Sequence, residues 1–205
     1  MATVTDDFNR GNWGIALGAN WTVDNSGAFQ TAWEGSAMSI ASTGSQWYTA
    51  RYTATAPAGA NYYVEAPSQT FGDPAKIGIG VRLTSSGNGY VFVCYGGFPV
   101  ELWRLDAWSG TQIGSGGTSL DVNTYGTLKL DVNGSTLTAS LNGTQIYSVT
   151  DSTYSAAGHW GIAAFDGDSG YGSRLDSFTG VDTGAPAATS LYLPRFRTPL
   201  AILAR

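Results

Sequence analysis

Between Tyr125 and Val149 apolar and polar positions alternate with little interruption, in the run YGTLKLDVNGSTLTASLNGTQIYSV. Two Asn-Gly pairs, Asn133-Gly134 and Asn142-Gly143, punctuate it. A two-residue type I′ turn needs φ > 0 at both central positions, and Asn-Gly meets that requirement at the least steric cost. The pattern predicts two consecutive hairpins in a register that closes without a slip. Leu128, Leu130, Val132, Leu137, Ala139, Leu141 and Ile146 fall on one face, and Lys129, Asp131, Thr136, Thr138, Ser140 and Gln145 on the other. One buried and one wet face is the signature of an antiparallel sheet packed on a core.

The same reading along the chain predicts strands over 28–33, 37–40, 47–55, 61–71, 76–83, 90–95, 100–108, 159–165 and 174–182, with a polar, glycine-rich loop over 109–119. The continuous apolar run YVFVCY (90–95) reads as a central strand covered on both sides. Phe8, Leu17 and Trp21 are the core anchors expected near the N-terminus. No segment keeps a helical period. About a dozen short strands at this spacing predict an all-β fold, an antiparallel β-sandwich over residues 1–182.

Residues 183–205 break the pattern. TGAPAA reads as a linker, and Pro194 and Pro199 impose an extended path. Leu191, Leu193, Phe196, Leu200, Ile202 and Leu203 are too apolar for a solvated tail. Fraying, return to the chain's own domain and docking on another protein are the three readings. Docking is favoured, because the segment carries Arg195, Arg197 and Arg205 and no acid, whereas residues 1–182 hold 15 acids against 7 basic residues. An apolar, cationic arm on an acidic body suits attachment to other subunits and an oligomer.

Composition narrows the function classes. Net charge is −5, which argues against a nucleic-acid partner. No apolar run has the length of a membrane span, so no membrane insertion is expected. The start, MATVTDDFNR, lacks the basic and apolar regions of a secretion signal, so synthesis in a cytoplasm is expected. Cys94 is alone and flanked by apolar residues, which suits a buried, inert thiol. Aromatics make up 13% of the chain, seven of them Trp, more than a minimal core needs.

The order of pieces carries a resemblance. DDFNR and LGANW are followed by GIGVRL, GNGYVF, ELWRL, the double hairpin, HWGIAAF and a closing RLDSFTGV. Over about residues 4–182 this resembles the concanavalin A-like lectin/glucanase superfamily, in particular the laminin-G-like jelly-roll domains of bacterial surface proteins and phage tail proteins. The resemblance implies a jelly roll whose first and last strands lie side by side. It leaves function open, since the fold hosts lectins, hydrolases and structural modules.

Glycosidases of that superfamily carry a Glu-x-Asp-x-x-Glu strand. Glu34, Glu65 and Glu101 stand in separate segments, and none has an acid at i+2 or i+4. Glu65 with Glu101 is the remaining pairing, against which a non-catalytic chain is favoured. The sole histidine, His159, has no nucleophile motif beside it. No cofactor is called for. Lectins of the superfamily often hold Ca²⁺, and Asp166 and Asp168 in one glycine-rich loop are the place for it, although such loops are mostly plain turns. For stacking on sugars, Trp33, Trp47, Tyr62, Tyr63, Trp103, Trp108 and Tyr171 are candidates. Trp108, Trp103 and Tyr171 are preferred, with Trp108 foremost because it stands at a loop entrance. The favoured function is a non-enzymatic structural or adhesion module of an assembly, such as a minor tail or capsid-decoration protein of a phage virion. A free glycan-binding lectin is the alternative, and a glycoside hydrolase a weaker one.

Overall fold

A computed structural model of the chain describes residues 1–11, 14, 16–25, 29–31, 38–40, 45–72, 75–165 and 173–184. Asp166, Asp168, Tyr171 and the arm residues Leu191, Leu193, Arg195, Phe196, Arg197, Leu200, Ile202 and Leu203 lie outside the described residues, as does Trp33.

Every regular element among the described residues is a strand: β1 (Thr3–Asp6), β2 (Trp21–Val23), β3 (Phe29–Thr31), β4 (Met38–Ile40), β5 (Trp47–Tyr52), β6 (Tyr62–Gln69), β7 (Lys76–Leu83), β8 (Gly89–Tyr95), β9 (Phe98–Asp106), β10 (Ser109–Ser119), β11 (Tyr125–Asn133), β12 (Thr136–Leu141), β13 (Thr144–Thr150), β14 (His159–Phe165), β15 (Arg174–Leu175) and β16 (Phe178–Asp182). They form two antiparallel sheets. Nine strands run β13-β12-β11-β6-β15-β4-β3, with β16 also on β6 and β1 on β16, and seven run β10-β9-β8-β7-β14-β5-β2. The first and last strands pair, Thr3 opposite Val181 and Asp6 opposite Phe178.

Inward residues of both sheets make the main core. Leu128, Leu130, Val132, Leu137 and Ala139 from one sheet meet Ile77, Ile79, Phe92, Leu102 and Ile162 from the other. Phe8, Leu17 and Trp21 join this core as expected. Burying each aliphatic side chain is worth about 1.5–3 kcal/mol, so the two inner faces supply most of the drive to fold.

The double hairpin forms with two departures. The second turn is as expected, with Asn142 (φ 52°) and Gly143 (φ 76°) both left-handed. The first moves one residue along. Asn133 pairs with Thr136, so Gly134 (φ 58°) and Ser135 are the central residues, and Val132 faces Leu137. Glycine in the first central position is the type II′ requirement. The move shifts cross-strand partners by two and leaves every residue on its expected face. The second departure is a real slip: Ser140 pairs with Gln145 but Ala139 with Tyr147, leaving Ile146 as a β-bulge. Without it Tyr147 and Val149 would face water. With it they pack on the core, and the Tyr147 hydroxyl donates to the Val100 carbonyl of the other sheet at 2.5 Å.

Two further expectations are corrected. Residues 109–119 are a strand, β10, paired with β9 across two register shifts. An edge strand needs few apolar residues, and Gly114 and Gly116 leave room for the Tyr147 ring, so its composition reads as loop. The closing strand is split into β15 and β16 at Ser177 (φ 48°), both halves lying along β6.

Arg82 ties the sheets together at one end. It is 1% exposed, and its guanidinium donates to the carbonyls of Tyr154 (2.5 Å), Ala60 (3.0 Å) and Gly134 (2.5 Å). A left-handed backbone at Arg82 (φ 54°) turns this side chain inward and sends the following Leu83 to the outside.

Candidate functional site

A sandwich needs only its inner faces to be apolar, yet the outer side of the seven-stranded sheet carries a second hydrophobic cluster. Trp47, Leu83, Val91, Val93, Leu105 and Ala163 are buried there, with Trp103, Trp108 and Phe165 packed against them. Glycine lets this cluster settle on the sheet. Leu83 lies so close over Gly161 that a Cβ there would stand 2.8 Å from its Cδ1. Beside this cluster opens a cleft of about 380 Å³, lined chiefly by Trp47, Lys76, Trp103, Trp108, Gly110 and Phe165. Gly110 separates two of the indoles: a Cβ on it would come within 2.4 Å of Trp47 Nε1 and 3.0 Å of Trp103 Cε3.

Trp108 is held in an unusual way. Asp106 pairs with Ser109, so Ala107 (φ 49°) and Trp108 (φ 61°) are the two central residues of a turn in which both are left-handed and neither is glycine or asparagine. Such residues cost about 1–3 kcal/mol each and persist where the surroundings over-determine them. Here the 84–89 loop does so. Asn88 Oδ1 accepts from the Ala107 N–H at 2.7 Å, and the Gly87 carbonyl accepts from the Trp108 N–H at 3.0 Å. The indole ring lies on Gly87, where any Cβ would stand 2.3 Å from it. Its Nε1–H is buried and has no hydrogen-bond partner among the described residues.

Behind the aromatic wall sits Glu101, only 8% exposed. It pairs with Lys76, accepts from the Tyr95 hydroxyl at 2.9 Å and accepts from Trp103 Nε1 at 2.8 Å. The Lys76 ammonium lies 4.5 Å from the Tyr95 ring centre and 4.7 Å from that of Trp103. Burial together with the neighbouring Glu101 carboxylate pushes the Tyr95 phenol up to about 12, so it stays a donor at neutral pH. Glu101 therefore fixes the Trp103 ring and neutralises Lys76.

This geometry removes the acid pair considered from the sequence. Glu65 alternates with the buried Val64 and Ala66 on β6 and so lies on the outer face of the nine-stranded sheet, while Glu101 lies on the outer face of the opposite sheet. The core separates them. No carboxylate among the described residues lines the cleft. His159 is structural, its Nδ1 3.2 Å from the Tyr52 carbonyl. Burial pushes the Cys94 thiol up to about 12, leaving it protonated and unreactive, as expected.

Of the preferred stacking residues, Trp103 and Trp108 meet in the cleft, and Tyr171 is outside the described residues. Trp47, a wider candidate, joins them, whereas Tyr62 belongs to the core. Sequence reasoning missed Phe165, Lys76 and the role of Glu101. The signal was present in HWGIAAF and YVFVCY, whose apolar residues occupy both faces of their strands.

A larger hollow, about 640 Å³, lies where β1 meets β16. Its inner carboxylate is already engaged: Asp6 accepts from Arg10 (2.7 Å), Trp21 Nε1 (2.7 Å) and the Phe8 N–H (2.8 Å). Burial raises the Asp6 carboxyl, but these bonds outweigh it and hold it below its usual value. Among the described residues no group of three His, Cys, Asp or Glu could hold a metal ion.

No family model matches the sequence, and no curated protein matches it. Solved structures do. The carbohydrate binding module CBM66 from Bacillus subtilis is 18% identical, with a TM-score of 0.56 over 80% of this chain and 93% of its own. The Emp47p carbohydrate recognition domain is 10% identical, with 0.59 over 88% and 94%. The Crh5 transglycosylase is 16% identical, with 0.59 over 90% and 85%. At these identities the likeness concerns the fold, and this two-sheet jelly roll is the concanavalin A-like lectin/glucanase fold.

Proposed function

We propose that this chain is a non-catalytic glycan-binding module and that the aromatic cleft on the outer face of the seven-stranded sheet is its binding site. The observation that carries the reading is Trp108, an aromatic kept at the cleft wall by a strained turn whose two central residues are both left-handed. Strain of this kind collects at ligand clamps. Aromatic faces for the apolar sides of sugar rings, with a few placed polar groups, are what a saccharide site requires. The reading is in keeping with neighbours named as a carbohydrate binding module and carbohydrate recognition domains. A hydrolase is disfavoured, since hydrolysis by either stereochemical route uses two flanking carboxyls and the described cleft lining holds none.

Two finer points belong to the same proposal. Asp166 and Asp168 follow directly on the cleft residue Phe165 and have the oxygen chemistry that Ca²⁺ takes. One neighbour, VIP36, was solved in a form bound to Ca²⁺ and Man. The setting we favour is adhesion at the surface of an assembly such as a phage virion, with 183–205 docked on other subunits. It is supported by the resemblance of the hairpin order and by the composition of that segment.

A glycan array probed with the protein and with Trp108→Ala tests the site. The expected result is binding to a restricted set of glycans, weakened about 30-fold or more by the substitution, as for a central aromatic hot spot. Binding that Trp108→Ala leaves intact would move the site elsewhere, and no binding at all would end the reading.

A further inference from the structure

The aromatic residues of the cleft continue beyond it. Trp47 stands 5.2 Å from Phe165 and 5.4 Å from Trp103 between ring centres. Trp103 and Tyr95 share the Lys76 ammonium. Tyr95 in turn stacks on Phe98, ring centres 5.0 Å apart and planes within 13°. Phe98 is 51% exposed at the turn joining β8 to β9, directly opposite Tyr95 in the register. A lone exposed phenylalanine needs no explanation. This one is the last member of a line that runs from the cleft to the rim, with Lys76 bridging Trp103 and Tyr95. Tyr95, which supports it, is itself fixed by Glu101.

Charge says what could lie along the line. Lys76 is the only charged described residue lining the cleft, and Glu101 cancels it from behind. Among the described residues neither an acidic nor a basic ligand would find an unpaired partner there.

Resting on the glycan-binding reading, we infer that the ligand is a chain of several neutral sugar residues, with one end in the Trp47–Trp103–Trp108 cleft and the chain passing over Tyr95 to stack on Phe98. Phe98 would then be an outer subsite that sets chain-length preference.

The test uses ladders of gluco- and manno-oligosaccharides of one to six units, with an oligogalacturonate ladder as the acidic arm. Each is titrated calorimetrically into the full chain, Phe98→Ala, Phe98→Trp and Trp108→Ala. Affinity for a neutral ladder is expected to rise with length. Phe98→Ala should lower affinity for the longest member about tenfold, the size of one aromatic contact, and leave the shortest binder within about twofold. Phe98→Trp should restore the gain. Trp108-dependent binding that is flat with length, or indifferent to Phe98→Ala, would overturn this inference and leave the module reading standing. A preference for the acidic ladder would overturn its charge argument. If no ladder binds, both fall together, and if Trp108→Ala changes nothing, this inference falls and the site lies elsewhere.

Discussion

The nine-stranded sheet carries Lys129, Asp131, Thr138 and Ser140 on its outer side, while the seven-stranded sheet carries there the buried Trp47, Val91 and Val93 with the partly exposed Trp103 and Phe165 packed against them. Both inner faces are equally apolar, so folding does not account for the difference. The polar face looks like ordinary surface: Lys129 covers the Tyr63 ring at 3.8 Å, and the hydroxyls alternate with buried leucines and alanine. The other face repeats core chemistry on the outside. Folding the sandwich does not require this second cluster, and the partly exposed Trp103, Trp108 and Phe165 on top of it wall the cleft proposed as the binding site. The two outer faces thus separate what the fold needs from what the function uses.

That separation can be broken or sharpened by substitution. The largest effect is expected on the inner side. Leu130→Ala leaves a cavity in the main core and should cost about 2–5 kcal/mol in urea denaturation. On the polar outer face, by contrast, Thr138→Ala should stay within about 0.5 kcal/mol and leave glycan binding unchanged. A comparable stability loss from both would contradict the division of faces.

An intermediate effect is expected at the end of the sandwich, and it depends on pH. Burial raises the Asp151 carboxyl. Hydrogen bonds from Thr153 (2.8 Å from its N–H), Tyr90 (2.8 Å) and Arg104 (3.0 Å) outweigh that and hold it down at about 2. A carboxyl lowered on folding stabilises the native state above its unfolded value and stops doing so as pH falls through the folded value. The contribution is about 2 kcal/mol, present above about pH 4 and lost towards pH 2. Asp151→Asn should flatten this part of the stability profile. An unchanged acid limb would show that the network is not formed.

The fold was legible where side-chain period and turn chemistry agreed. Leu128 to Leu141 lie on the faces their alternation gave, and Asn142-Gly143 makes the turn its residues suit. The first turn moved to Gly134-Ser135 because glycine accepts a positive φ at either central position, a choice that local sequence leaves open. The bulge at Ile146 answers to a long-range demand, the Tyr147 hydroxyl reaching the opposite sheet, which no local pattern encodes. β10 was hidden because an edge strand of glycine and serine has the composition of a loop.

The site was only half legible. Trp103 and Trp108 were singled out for their aromatic character and loop position, and they do meet. What could not be read was their company. Phe165 and Lys76 come from two other parts of the chain, β14 and β7, and only the strand order β9-β8-β7-β14-β5 brings them onto one face with Glu101 and Trp103 of β9.

The central claim, that the outer aromatic face is where this protein meets glycans, is tested most directly by the indole N–H resonances of its seven tryptophans. Gluco- and manno-oligosaccharides would be titrated into ¹⁵N-labelled protein. The account predicts saturable shifts in the indole signals of Trp47, Trp103 and Trp108, while those of Trp21 and Trp160, buried between the sheets, stay still. Still signals throughout, or shifts confined to the tryptophans of the inner core, would contradict it.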